Sequence, residues 1–217
     1  MRKIPVLIVE DHPLFSEGLS QLIETMPAYE VIGIAADKAS AMKIISEKEV
    51  SLGIVDLNLG DDDGLDLIRD IRVTDTSMKI LVLSMHDERY YSERALKAGA
   101  NGYIMKEEAS SKVLEAIRTV MSGKVWLSDN EKSRLEDCLT GKGIDGNDNL
   151  ANINKLSDRQ LQIFTFIGKG LGTLEISQKL NLSTKTIDTH KEHLKLKLHC
   201  NTSQELRQLA IEWVSGT

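Results

Sequence analysis

Residues 4–23 read IPVLIVEDHPLFSEGLSQLI. The first six, Ile4–Val9, are apolar and lack period-two alternation, which suits a parallel strand buried on both faces. Glu10 and Asp11 end the run. Leu14, Leu19, Leu22 and Ile23 then follow at helical spacing. The same order of short apolar run and longer amphipathic segment recurs along the chain. Runs at 31–35, Leu52–Val55, 80–83 and Gly102–Met105 alternate with helical patterns. Those patterns are marked by Ala41, Ile44 and Ile45, by Leu65, Ile68 and Ile71, by Ala95 and Ala98, and by Val113, Ile117 and Val120. The fifth run is the least hydrophobic and is placed partly by its spacing. Five strand–helix units in succession predict an α/β domain on an open, doubly wound, five-stranded parallel sheet. Ligands of such a sheet bind at the carboxyl ends of its strands.

The rest of the 217-residue chain is of another kind. From Leu156 onward only helical patterns appear, near 157–169, 173–180, 184–198 and 203–214. A second, smaller all-α domain is therefore expected. Between the two, residues 141–152 read GKGIDGNDNLAN, with three glycines and no apolar period, which suits a linker. A short helix over 128–139 precedes it, with Ser128 as N-cap and Glu131 completing a capping box. The expected division is residues 1–122, a connecting stretch over 123–151 and a helical domain over 152–217.

Composition narrows the function classes. Apolar residues make up 41% and charged residues 28%, enough for packed cores and against wholesale disorder. Aromatics at 4% argue against a stacking platform for single-stranded nucleic acid. No apolar stretch is long enough to span a bilayer and no signal-like start is present, so a soluble, cytoplasmic protein without membrane contact is expected. Cys138 and Cys200 cannot make a disulfide framework, and reduced thiols are the simpler reading. Net charge is −6 but uneven: −7 over 1–122, −2 over 123–153 and +3 over 154–217. That asymmetry points the C-terminal part toward an anionic partner.

The strand ends of the first block carry its chemistry. Glu10 and Asp11 follow the first run, Asp56 the third, Ser84 the fourth and Lys106 the fifth. Gathered carboxylates repel one another and resist ionisation. A hard divalent cation such as Mg²⁺ relieves this with oxygen ligands. A lysine neutralises a transferred phosphoryl group, and a hydroxyl bonds one of its oxygens. The chemistry suggested is phosphoryl transfer to a carboxylate.

These residues, as Val9-Glu10-Asp11-His12-Pro13, Val55-Asp56-Leu57-Asn58-Leu59, Leu83-Ser84 and Gly102-Tyr103-Ile104-Met105-Lys106, resemble a response-regulator receiver domain of flavodoxin-like fold. The resemblance implies that Asp56 accepts a phosphoryl group from a histidine kinase. It implies that Glu10, Asp11, Asp56 and the backbone carbonyl of Asn58 hold Mg²⁺. Ser84 and Lys106 would bind the phosphoryl group, and Tyr103 would be the switch aromatic whose ring turns inward. One stretch departs from the family. Leu59-Gly60-Asp61-Asp62-Asp63-Gly64 lacks the usual Pro-Gly after the leucine, so the loop should be less preorganised. Its added charge leaves three alternatives open: tighter Mg²⁺ binding, slower attack on an anionic phosphodonor, or a solvated loop with Asp63 capping the next helix.

In the second block, the helical pattern over 173–180 breaks at Asn181-Leu182, and Ser183 is a good N-cap for the next helix. Two short helices with a tight turn make a helix-turn-helix. Ile187, His190, Leu194 and Leu198 form its core stripe. Lys185, Asp188, Glu192 and Lys195, with Thr189 beside them, form a polar face suited to a major groove. Leu156-Ser157-Asp158-Arg159, Glu175-Ile176, Leu182-Ser183-Thr184-Lys185-Thr186-Ile187, His190 and Lys197-Leu198 resemble the LuxR-type helix-turn-helix. With the receiver it makes the NarL/FixJ class. The resemblance implies that helix 184–198 reads DNA, with Lys185, Thr186, Asp188, Thr189, Lys191, Glu192 and Lys195 as candidate contacts. It also implies a homodimer through the last helix when phosphorylated. Gln160 stands where the family often has glutamate. Asp188 and Glu192 stand where it often has basic residues; they oppose phosphate binding and could instead accept from cytosine N4.

The leading expectation is a DNA-binding transcription regulator switched by phosphorylation, not an enzyme beyond its own phosphorylation and dephosphorylation. A Mg²⁺-dependent phosphohydrolase with an Asp56 nucleophile is the enzyme alternative, weakened by Asn58 two residues on. A phosphorylation-independent DNA-binding protein is the third.

Overall fold

The structure, a computed structural model, describes residues 2–60, 62–139, 153 and 156–215. It separates into two compact units, Met1–Lys142 and Gly143–Thr217. The expected linker over 141–152 lies outside the described residues.

The first unit carries a five-stranded parallel sheet. Its strands are β1 (Ile4–Val9), β2 (Tyr29–Ala35), β3 (Leu52–Val55), β4 (Lys79–Ser84) and β5 (Gly102–Met105). They lie in the order β2-β1-β3-β4-β5. Two runs are longer than the sequence suggests: β2 starts at Tyr29, and β4 extends one residue each way to include Ser84 in the ladder opposite Met105. Helices α1 (Pro13–Glu24), α2 (Lys38–Glu47), α3 (Gly64–Thr74), α4 (Glu88–Ala98) and α5 (Ala109–Met121) make the crossovers. Alternate strand residues Val6, Ile8, Leu52, Ile54, Leu81 and Leu83 form one core with Leu19 and Ile23 of α1 and Val113, Ile117 and Val120 of α5. The intervening Leu7, Val9, Val55, Ile80 and Val82 are equally buried toward the other face. Burial on both sides is the reason these strands read as unbroken apolar runs.

Local chemistry sets the helix starts. Asp37 and Ser40 form a capping box on α2, Asp63 accepts the Leu65 N–H at 2.8 Å on α3, and Asp87 accepts the Arg89 N–H on α4. Gly99 ends α4 at φ 112°, a left-handed conformation that favours glycine. Leu14 departs from the sequence reading: it is 86% exposed. The inward line of α1 is Phe15, Leu19, Leu22 and Ile23, and Leu14 lies off that face.

After α5 the chain runs back along the open side of β5. Trp126 bridges Gly102, and its carbonyl accepts the Tyr103 N–H at 2.9 Å, which covers a sheet edge that would otherwise be a template for pairing. Helix α6 (Asp129–Leu139) then packs on α4. Ser128 caps it through the Glu131 N–H, but the expected capping box is not closed. The Ser128 N–H goes to Glu88 Oε1 at 2.9 Å, and the Glu131 carboxylate, 2% exposed, accepts from Ser92 Oγ at 2.5 Å and from Arg134. A tertiary hydrogen bond to a buried hydroxyl wins over the local one.

The second unit has helices α7 (Asp158–Gly168), α8 (Thr173–Lys179), α9 (Thr184–Lys197) and α10 (Ser203–Ser215). Ile163, Phe164, Ile176, Ile187, Leu194, Leu206 and Ala210 fill its core. Ser157 and Gln160 close a capping box on α7, and Gln160 Oε1 also accepts from Lys197 Nζ at 2.8 Å. The glutamine thus keeps the hydrogen bond without the charge.

Gly64 opens α3 against the backbone of Asp56 and Leu57, and its N–H donates to the Leu57 carbonyl at 3.0 Å. A Cβ there would overlap the Asp56 carbonyl. Gly64→Ala is therefore expected to destabilise the first unit by about 1–3 kcal/mol, read as a lower urea midpoint in circular dichroism. An unchanged midpoint would show that α3 can shift freely.

Candidate functional site

The carboxyl ends of β1, β3, β4 and β5 bring Glu10, Asp11, Asp56, Ser84 and Lys106 to one edge of the sheet. Glu10 is 3% exposed, Asp56 4% and Ser84 0%, while Asp11 is partly open. Lys106 Nζ lies 2.5 Å from Glu10 Oε2 and 2.7 Å from Asp56 Oδ2. The same ammonium sits 4.7 Å from the centre of the Phe15 ring. Burial alone would lower the Lys106 ammonium, but Asp56 and Glu10 outweigh it and hold it above the usual lysine range. Burial pushes the Asp56 carboxyl up to about 6; Lys106 opposes the rise and Glu10 adds to it.

One ligand atom from each of Glu10, Asp11, His12 and Asp56 lies within 4.8 Å of the others, so this cluster can hold a metal ion. The buried Asp56 Oδ1 has no hydrogen-bond donor, and Asp11 Oδ1 meets His12 Nδ1 at 2.7 Å. Buried acceptors without donors are costly unless something else meets them. His12 also contacts Glu10 Oε1, and the two acids hold its imidazole above its ordinary range in spite of burial.

Tyr103 is fully buried and its hydroxyl donates to the His86 carbonyl at 2.8 Å. Burial raises its phenol well above the usual tyrosine range. The His86 N–H donates to Ser84 Oγ at 3.1 Å, and the His86 ring stacks on Tyr91 of α4 at 4.6 Å. In the acidic loop, Gly60 takes φ 61° and Asp63 caps α3. Asp62 Oδ2 accepts the Lys38 N–H at 2.9 Å, and Asp61 lies outside the described residues.

In the second unit, Asn181 makes the tight turn between α8 and α9 at φ 51°, and Ser183 Oγ accepts the Thr186 N–H at 3.0 Å to open α9. Ile187, Leu194 and Leu198 are buried. His190 is only partly so, its Nδ1 is without a hydrogen-bond partner, and burial lowers its imidazole below the ordinary range. Lys185, Asp188, Thr189 and Glu192 are exposed. Lys191 is half-buried and donates to Thr173 Oγ1 at 2.5 Å, while Lys195 lies 2.9 Å from Glu192. Thr186 Oγ1 lies 2.8 Å from Ser183 Oγ.

Two stretches of the chain match known families. Residues 6–118 match the family described as the response regulator receiver domain, and residues 154–210 match the bacterial regulatory proteins of the luxR family. The chain is a response regulator. It joins a receiver to a LuxR-type DNA-binding helix-turn-helix, and its relatives are of the NarL/FixJ class. The chain is 31% identical to oxygen regulatory protein NreC of Staphylococcus carnosus over 209 residues, which is 95% of this chain and 96% of that one. It is 32% identical to response regulator UvrY of Escherichia coli over 208 residues, 96% of this chain and 94% of that one. Among solved structures, a LuxR-family two-component response regulator from Aurantimonas matches with a TM-score of 0.59 at 29% identity, covering 64% of this chain and 99% of that one. RcsB of Salmonella typhimurium shares the fold over the whole of both chains, with a TM-score of 0.58 at 24% identity. No helix among the described residues of this response regulator is long and apolar enough to cross a membrane.

Sequence reading missed His12 and Phe15 as neighbours of the acidic pocket and Thr173 as the partner of Lys191. His12 lies inside the motif that carried the resemblance. Phe15 had one usable signal: it is the aromatic on the inward face of α1, one turn from the two acids.

The folded receiver binds a proton on Asp56 between about pH 4 and 6, where the unfolded chain has released it. Wild-type stability is therefore expected to fall relative to Asp56→Asn as pH rises through that window in metal-free buffer, by up to about 3 kcal/mol. Urea midpoints of both proteins from pH 4 to 7.5 check this. A difference independent of pH would contradict it.

Proposed function

We propose that this response regulator is phosphorylated on Asp56 by a sensor histidine kinase in a Mg²⁺-dependent step, and that phosphorylation controls its DNA binding. The observation that carries the reading is the Asp56 carboxylate. It is buried at the sheet edge, with Oδ2 on the Lys106 ammonium and Oδ1 free of donors. Glu10, Asp11, Asp56 and the backbone carbonyl of Asn58 are the groups that would hold Mg²⁺. The donor-free Asp56 Oδ1 and the partly open Asp11 carboxylate, met by the His12 imidazole, fit such a hard cation. When bound, the cation offsets the charge that three carboxylates present to an incoming phosphoryl group.

In this step the ionised Asp56 oxygen forms a bond to phosphorus, the bond to the donor histidine nitrogen breaks, and that nitrogen leaves with its electron pair. Lys106 shifts from the carboxylates to a phosphoryl oxygen, and the Ser84 hydroxyl donates to another. Because the His86 N–H rests on Ser84 Oγ and Tyr103 on the His86 carbonyl, movement of Ser84 reaches α4 through this chain of contacts. A single phosphorylation followed by slow hydrolysis is the only turnover expected. Asn58 places no second carboxylate two residues after Asp56, which disfavours a phosphohydrolase.

Helix α9 enters the major groove in this reading, and α10 supplies a homodimer contact. The protein acts in the cytoplasm, where its DNA lies. Lys185 is the exposed cation best placed for a phosphate, because Lys195 is ion-paired with Glu192 and Lys191 is half-buried against Thr173. Asp188 suits cytosine N4 rather than phosphate, while Glu192 is held by Lys195.

Incubation with Mg²⁺ and acetyl phosphate is expected to add one phosphoryl group to wild type and none to Asp56→Ala, with tighter DNA binding in mobility shifts of wild type alone. Equal modification of the variant would move the phosphoacceptor elsewhere. Lys185→Ala should weaken binding across DNA sequences and reduce the slope of log affinity on log salt by about 1 per monomer. An unchanged slope would remove Lys185 from the phosphate contacts.

A further inference from the structure

We propose that Phe15 is a positioning residue for phosphoryl transfer, with the face of its ring holding the Lys106 ammonium at the phosphoacceptor site. The proposal rests on the reading of Asp56 given above. Among the described residues, three groups stand out around Lys106 Nζ: Glu10 Oε2 at 2.5 Å, Asp56 Oδ2 at 2.7 Å and the Phe15 ring centre at 4.7 Å. Its side chain is 5% exposed, so water does little to hold it. An ammonium at this range from an aromatic face is attracted by the ring quadrupole, most strongly where it is desolvated.

The three neighbours differ in what a divalent cation does to them. Glu10 and Asp56 offer the oxygens that such a cation takes, and a cation on those oxygens repels the ammonium. The Phe15 ring offers no oxygen and is not a ligand for a hard ion. It is therefore the one of the three that stays with Lys106 when the carboxylates are engaged. Held under the ring, the ammonium stays within reach of the phosphoryl oxygens that form on Asp56.

The geometry of α1 supports this role. The helix starts at Pro13, with His12 alone between it and the two acids, and the Phe15 N–H donates to the His12 carbonyl at 3.1 Å. This places Phe15 on the first turn, facing the pocket, while Leu14 beside it points to solvent. Phe15 also packs against the α1–α5 core, so loss of the ring would disturb packing as well. The test must separate ring electrons from ring volume.

In the full-length protein, Phe15 is replaced by 4-fluoro-, 3,5-difluoro- and 3,4,5-trifluorophenylalanine, which weaken the negative face of the ring with little change in size. Phe15→Leu and Phe15→Tyr are made beside them, and thermal melting checks folding. Two quantities are read: the initial rate of phosphorylation by acetyl phosphate at saturating Mg²⁺, and the metal-free reductive methylation of Lys106 by peptide mass spectrometry. The rate is expected to fall stepwise with each added fluorine, by roughly tenfold at three. Phe15→Leu should be at least as slow and Phe15→Tyr close to wild type. Lys106 labelling should rise in the same order. A flat fluorine series with only Phe15→Leu impaired would overturn the proposal and leave Phe15 a packing residue. A wild type that takes no phosphoryl group on Asp56 would overturn the underlying reading together with this one, and so be told apart from it.

Discussion

The Lys106 ammonium, shared between Glu10 and Asp56 at the edge of the sheet, is the interaction on which the receiver depends. Two carboxylates almost wholly removed from water cannot both stay ionised beside each other without a counter-charge. Lys106 supplies one positive charge against the two, and burial, with a lesser push from Glu10, still leaves the Asp56 carboxyl raised. The site still holds a buried Asp56 oxygen with no donor, and the Asp11 carboxylate meets the His12 imidazole. The parallel sheet makes this possible, because only strand ends that face one way can deliver groups so far apart in sequence to one point.

Much of this was readable before any coordinates. The strands are buried on both faces, so each left an unbroken apolar run, and the residue after each run had to emerge at the same edge. Glu10, Asp56, Ser84 and Lys106 follow from that rule alone. What the sequence concealed depended on side-chain direction. Leu14 looked like a core position because it is apolar and near Leu19, but five residues are not a whole number of turns. Phe15 carried no chemistry of its own and mattered only for where its ring lay. Glu131 matched a capping box that its carboxylate then declined in favour of Ser92, since a buried hydroxyl across the fold leaves less unsatisfied than a local turn does. Lys191 looked like a free phosphate partner until Thr173 was seen beside it.

The helix-turn-helix shows the same economy of free charge. Of the polar side chains of α9, Lys195 is ion-paired with Glu192, while Lys191 donates to the neutral Thr173 hydroxyl and keeps its charge.

Helix α6 changes where the receiver ends. A chain cut after α5 would lose Trp126 from the edge of β5 and strip Ser92 and Glu88 of their partners on the following segment. Receivers are natural modules for building chimaeric sensors, in which one regulator's input is spliced to another's output. For this protein a junction directly after α5 would open a sheet edge and leave buried polar groups without their partners, so a splice that keeps α6 preserves both.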